Sequence, residues 1–195
     1  DTENRYIITC KNTDKICIFT NKGQMHLLKV LDLPYGKFRD KGIPIDNLSN
    51  YNSSEENFIY IINLGAIIHS RLLFGTKTAM LKMVDGSEFD VAKRTTAATK
   101  LNEDDELLIV HSMTGEETGV MQSEKEMFLR IEASTIPEKK KGAVGVRGMK
   151  LNAGDALSNI YVLDGESEET VEVKGKEVVL NRLRVGNRDT KGTKR

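Results

Sequence analysis

Lysine and arginine recur in four windows of this 195-residue sequence, and the chemistry they offer is the neutralisation of phosphate. The first window carries Lys37, Arg39 and Lys41 against one acid, and the second carries Lys93, Arg94 and Lys100 with none. The third holds Lys139, Lys140, Lys141, Arg147 and Lys150, again without an acid. The fourth holds Arg182, Arg184, Arg188, Lys191, Lys194 and Arg195, opposed only by Asp189. Seventeen of the 29 basic residues fall in these windows, but only two of the 29 acidic ones. The acids gather elsewhere, at Glu103–Glu106 and Glu166–Glu169. A formal net charge of +0 therefore conceals a segregation of charge along the chain. Any single window is explained as well by a solvated loop paired with nearby acids. Four windows at equivalent places in a repeat point instead to a basic edge, a footprint for a curved polyanion.

Other chemistries find no support. His26, His69 and His111 are scattered, with no spacing that joins them to a metal, and read as ordinary strand histidines. Cys10 and Cys17 match neither a C-x-x-C redox pair nor a zinc knuckle, and two plain thiols fit a reducing cytosol. Asp104-Asp105 and Glu116-Glu117 are adjacent pairs, which a strand would send to opposite faces, so solvated turns account for them. No nucleophile elbow, P-loop or dinucleotide fingerprint occurs. With no Trp and few exposed-looking aromatics there is no stacking platform for single strands, which leaves contact with a duplex backbone.

The elements that must position the basic windows repeat. Phe19-Thr20-Asn21-Lys22 returns as Phe74-Gly75-Thr76-Lys77, an offset of 55, and Gly42 to Leu48 returns as Gly145 to Leu151, an offset of 103. Arg94-Thr95 to Leu101 stands between them with Thr in place of Gly, and Lys191-Gly192 supplies a fourth copy. The units read as 5–48, 57–101, 105–151 and 156–195, within a single domain over 1–195. Inside them, short apolar or alternating runs are broken by turn residues: Tyr6–Cys10, Ile16–Thr20, Gln24–Leu31, Phe58–Asn63, Ala66–Phe74 and Thr78–Val84. The same rhythm continues at Leu107–His111, Glu126–Ile131, Leu157–Leu163, Glu168–Val173 and Glu177–Leu183. Ile16–Phe19 is apolar on both strand faces, as in a sheet covered on both sides. Thr118–Glu132 fits an amphipathic helix or strands, and register with the other units favours strands.

Four-stranded units of about 50 residues are the mark of a propeller-type array whose blades bury one another's faces. The fold class expected is all-β, about four four-stranded blades in a truncated or open ring. Length and 38% hydrophobic residues fit one globular domain that needs no disulfide or metal staple. No run approaches a membrane span, and the polar start DTENRY is no signal peptide; beginning at Asp1 without Met suggests a piece of a longer protein.

The stretch Lys141-Gly142-Ala143-Val144-Gly145-Val146-Arg147-Gly148-Met149-Lys150-Leu151, then Gly154-Asp155, resembles the blade-end motif of the C-terminal domain of bacterial type IIA topoisomerase A subunits, those of DNA gyrase and topoisomerase IV. Ile18 to Gly23, Lys29 to Pro34 and Lys41 to Pro44 are similar to the opening of another such blade. The resemblance implies a β-pinwheel, a disc whose blades exchange strands and whose basic perimeter bends duplex DNA. It implies a non-catalytic domain with no cofactor of its own, in a cytoplasmic, nucleoid-associated enzyme. Its partners would be double-stranded DNA and, in an A2B2 assembly, the rest of the A subunit together with an ATPase B subunit. ATP, Mg²⁺ and the cleavage tyrosine would act elsewhere. One departure stands out: gyrase carries a Gln-basic-Arg-Gly-Gly-basic-Gly box. Lys139 to Gly145 lacks its Gln, second Gly and second basic position, so the box lies upstream or is missing. A protein-binding propeller scaffold, the rival reading, would show an apolar or mixed-charge patch on a flat face. Lys15 and Lys29, inside strands, are expected to matter less for DNA than the windows.

Overall fold

Every unit folds around one tight hairpin, and the hairpins do not keep their own outer strands. The computed structural model describes residues 5–37 and 39–195; the start at Asp1–Asn4 and Phe38, within the first basic window, lie outside the described residues. In chain order the strands are β1 (Lys15–Thr20), β2 (Gln24–Lys29), β3 (Phe58–Asn63), β4 (Arg71–Thr76), β5 (Met80–Asp85), β6 (Thr95–Ala97), β7 (Leu107–Met113) and β8 (Thr118–Ser123). They continue as β9 (Met127–Glu132), β10 (Val146–Arg147), β11 (Met149–Lys150), β12 (Leu157–Leu163), β13 (Thr170–Val173), β14 (Lys176–Val179), β15 (Thr190–Lys191) and β16 (Thr193–Lys194). Among the described residues the one α-helix is α1 (Leu64–Ile67), and none is long and apolar enough to cross a membrane.

Three sheets have four strands, in the orders β3-β1-β2-β6, β7-β4-β5-β10 and β12-β8-β9-β16. Each consists of a hairpin flanked by a long strand and a short strand, both delivered by the next unit. The fourth hairpin, β13–β14, is two-stranded. The all-β, strand-exchanging expectation holds, with three complete blades and a half. Two departures from the sequence reading fall in the first unit: Tyr6–Cys10 forms no strand, and the Lys41-Gly42 element lies in none of the described strands.

Smaller corrections share a cause. Ala66–Phe74 opens in α1, Gln24–Leu31 stops at Lys29 and Glu177–Leu183 ends in a turn of 3-10 helix. In each case the chain must leave the sheet to reach its neighbour, and local apolar content carries no record of that exit. Thr118–Glu132 is a hairpin, β8–β9, as register implied.

The faces of adjacent sheets bury one another. Phe19, Leu72, Phe74, Phe89 and Leu107 fill the space between the first two sheets, and Leu73, Leu81, Met83, Met121 and Leu157 the space between the second and third. Leu72 and Phe74 thus face one core and Leu73 the other, so the middle of β4 is apolar on both faces. Each such buried side chain contributes roughly 1.5–3 kcal/mol.

Candidate nucleic-acid interface

Three of the four basic windows lie where strand exchange puts them, on or beside the outermost short strand of each complete sheet. Thr96, Val146 and Thr193 occupy one register position, opposite Met25, Leu81 and Phe128 of the hairpins. The residues just before them are Thr95, Gly145 and Gly192. At Gly192 a Cβ would sit 2.7 Å from the Phe128 carbonyl oxygen, and at Gly145 it would collide with the Leu81 carbonyl. Glycine is needed at both because the backbone crosses the hairpin there.

Upstream, Met83 pairs with Glu138 and Arg130 with Val185, so residues 139–145 and 186–192 form equivalent loops over successive sheets. The first sheet has no such loop: the Leu27 N–H already donates to the Arg94 carbonyl, and Thr95 follows at once. There a buried polar cluster replaces the glycine crossing, with His26 Nδ1 2.9 Å from Thr95 Oγ1 and Nε2 3.0 Å from Glu56.

Thirteen of the fifteen sequence-selected residues are exposed: Lys37, Arg39, Lys41, Lys93, Arg94, Lys100, Lys139, Lys140, Arg147, Lys150, Arg182, Arg184 and Lys191. Several are already engaged. Lys141 and Arg188, half-buried, do one structural job: Lys141 Nζ donates to the carbonyl of Glu88 and Arg188 Nε to that of Thr135, 53 residues upstream in both cases. Arg188 also donates to the Arg147 carbonyl. Arg147 is paired with Asp189, whose carboxyl is held below the usual range chiefly by that bond. Arg182 meets Glu168 at 3.5 Å and Arg94 reaches the Leu48 carbonyl at 3.4 Å. Lys37, Arg39 and Lys41 lie in none of the described strands.

The third window, acid-free in sequence, is not acid-free in space. Lys139 and Lys140 share a cleft with Asp85, Glu88 and Glu138. The Asp85 carboxyl is held low by the Ser87 N–H and hydroxyl, then by Lys140 and Arg71. The fourth window has the opposite setting. Arg184, Lys191 and Arg195, with the half-buried Arg130 behind them, line a cleft of about 380 Å³ that has no acid in its wall. Parallel pairing of β11 with β15 sets Lys150 opposite Lys191, so the second and third edges meet there, with Arg147, Lys150 and Arg188 around the Asp189 carboxylate. Lys15 and Lys29 are not remote either: they line one cleft with Arg94.

Two segments, residues 70–112 and 120–164, match the family model described as DNA gyrase C-terminal domain, beta-propeller. Each begins at a hairpin and ends in the long strand exchanged back to it. Over these two segments the chain matches the DNA gyrase C-terminal domain family. It is 32% identical over 196 residues to the gyrase A protein of Staphylococcus epidermidis, covering 96% of this chain and 22% of that protein. The pinwheel thus spans about a fifth of the curated relatives it matches. In fold it is similar to the C-terminal domain of DNA topoisomerase IV, with a TM-score of 0.87 at 22% identity over 96% of this chain and 60% of the other. It is also similar to the DNA gyrase A C-terminal domain, with a TM-score of 0.69 at 19% identity over 94% and 60%.

Sequence reasoning passed over Arg130 in the second cleft and, beneath the first, Lys82. Lys82, in the apolar strand β5, is 1% exposed and donates from Nζ to the carbonyls of Lys140, Lys141 and Ala143. A lysine inside Met80-Leu81-Lys82-Met83-Val84 was the available signal, since a buried ammonium needs partners. No group of three or more His, Cys, Asp or Glu residues among those described could hold a metal.

Proposed function

We propose that this pinwheel binds duplex DNA along the outer strands of its sheets and bends it, as the non-catalytic DNA-guiding domain of an ATP-dependent type II topoisomerase. The mechanism is phosphate neutralisation along a curved strip, without base reading. The observation that carries the reading is the acid-free cleft of Arg184, Lys191 and Arg195, continued through Lys191 to Lys150 on the preceding sheet edge. Lys93, Lys100, Lys139 and Lys140 extend the strip, while Lys141 and Arg188 hold it in shape. The loop that departs from the gyrase box is the counter-charged one, which supports modest bending over tight wrapping. The parent enzyme, cytoplasmic and nucleoid-associated, supplies cleavage, Mg²⁺ and ATP chemistry from the rest of the A subunit together with a B subunit in an A2B2 assembly.

The test is duplex affinity across a salt series, with end-to-end distance read by fluorescence transfer. About six phosphate contacts predict a loss on the order of a thousandfold between about 50 and 200 mM salt, with shortened ends in the complex. Affinity that ignores salt overturns the reading in favour of a protein scaffold.

A further inference from the structure

The third basic window is held from beneath. Lys82 enters the base of loop 139–145 from β5, and its ammonium donates to three carbonyls of that loop: Lys140 at 3.0 Å, Lys141 at 3.1 Å and Ala143 at 2.6 Å. Three donors meet three acceptors, which satisfies the ammonium that burial has stripped of water. The ring of Phe74 lies 5.6 Å from Nζ and closes the other side. Glu88 is the acid facing the site. Its Oε1 accepts the Lys141 N–H and its carbonyl accepts Lys141 Nζ, so carboxylate and buried ammonium grip one loop from two sides. Lys140 and Lys141 are the other charges facing Lys82, and both present carbonyls to it rather than ammonium groups.

The first sheet offers an independent parallel. His26 sits at the hairpin position of Lys82, facing Ile18 as Lys82 faces Phe74, and is 3% exposed. It too reaches the strand delivered by the next unit, at Thr95. In the third sheet that position is Leu129, facing Met121, and no buried base occupies it.

We infer that Lys82 is a positioning residue: a buried ammonium clamp that fixes the backbone of loop 139–145 so that Lys139 and Lys140 face outward toward phosphate. The inference rests on the proposed DNA reading for what the loop does, but not for how it is held. Burial pushes Lys82 down to about 8, so mildly alkaline solution releases the clamp while ordinary surface lysines stay charged.

The test uses the full chain with Lys82→Met, which keeps the volume and removes the donor, beside Lys139→Ala/Lys140→Ala and the triple combination. Limited trypsin digestion at Lys139–Lys141 reads loop order without DNA, and duplex titrations read affinity. Lys82→Met should speed cleavage there about tenfold or more and lower the DNA salt slope by up to about two units. It should add little to the Lys139/Lys140 change, because both act through the same two phosphate contacts. In the unsubstituted chain, DNA affinity should fall between about pH 7 and 9 at constant ionic strength, and this step should vanish in Lys82→Met. The step needs no substitution, so it stands even if Lys82→Met folds poorly. Unchanged tryptic cleavage together with no alkaline step overturns the clamp. So does a loosened loop with unaltered affinity while Lys139→Ala/Lys140→Ala weakens binding. If the loop loosens and neither variant changes affinity, the clamp stands and the DNA role of this loop falls.

Discussion

Loops 139–145 and 186–192 cross successive sheets at one register, over Leu81 and Phe128, and each is stapled by a long cation to the carbonyl of a 3-10 turn. Their electrostatic surroundings differ. The first shares its cleft with Asp85, Glu88 and Glu138 and rests on a buried lysine. The second opens onto Arg184, Lys191 and Arg195 with no acid in the wall. The same backbone device thus holds a basic patch crowded by three facing acids on one edge and, on the next, one whose cleft has no acid in its wall and whose loop carries Asp189 alone. Charge counted along a window says how many cations a loop has. The net field depends on what the neighbouring turn brings to it, since facing charges interact through space and not along the chain.

The largest effect that would sharpen this comparison concerns what the loops share. Gly145→Ala and Gly192→Ala each drive a methyl into a backbone carbonyl, and each should cost about 2–4 kcal/mol in urea unfolding or prevent folding. A cost below about 0.5 kcal/mol at either site would break the equivalence of the crossings.

The next effect concerns what separates them. Arg184→Ala/Lys191→Ala/Arg195→Ala should lower the salt slope of DNA binding by about three units, against two or fewer for Lys139→Ala/Lys140→Ala/Lys141→Ala. Equal losses would show that facing acids do not matter and that sequence count alone sets the field.

Smaller again are the staples. Lys141→Ala should destabilise by about 1–2 kcal/mol in denaturant titrations, leaving the half-buried Glu88 carbonyl unpaired, and Arg188→Ala by less than about 1 kcal/mol, because the Thr135 and Arg147 carbonyls it serves belong to exposed residues, with at most about one unit lost from the DNA slope in each case. A stable protein with a large DNA defect would return both residues to phosphate contact.

The smallest effect falls on Asp189. Asp189→Asn should release Arg147 and tighten DNA binding a few-fold, steepening the slope by about one unit. The carboxyl is held low by Arg147, so its stabilising contribution is present above the ordinary carboxylate range and lost as the pH falls through its depressed folded value. Acid titration of wild type against Asp189→Asn checks that sign, and a variant with greater acid sensitivity than wild type would refute it.

Much of this molecule was legible in its residues. The repeat at Phe19 and Phe74, the turn at Asn21-Lys22-Gly23 and the glycines at 145 and 192 fixed hairpins and crossings, because each depends on local geometry or on a backbone approach that only one residue type permits. Three of the four basic windows fell at the outer strands of successive sheets, as register required, and the first did not. The acids facing Lys139 and Lys140, the pairing of Arg147 with Asp189 and the carbonyls that hold Lys82 were not legible. All three depend on which unit supplies a strand to which hairpin. Strand exchange brings together residues about 50 positions apart, and a side chain's charge partner, hydration and reach are set by that neighbour rather than by its own segment.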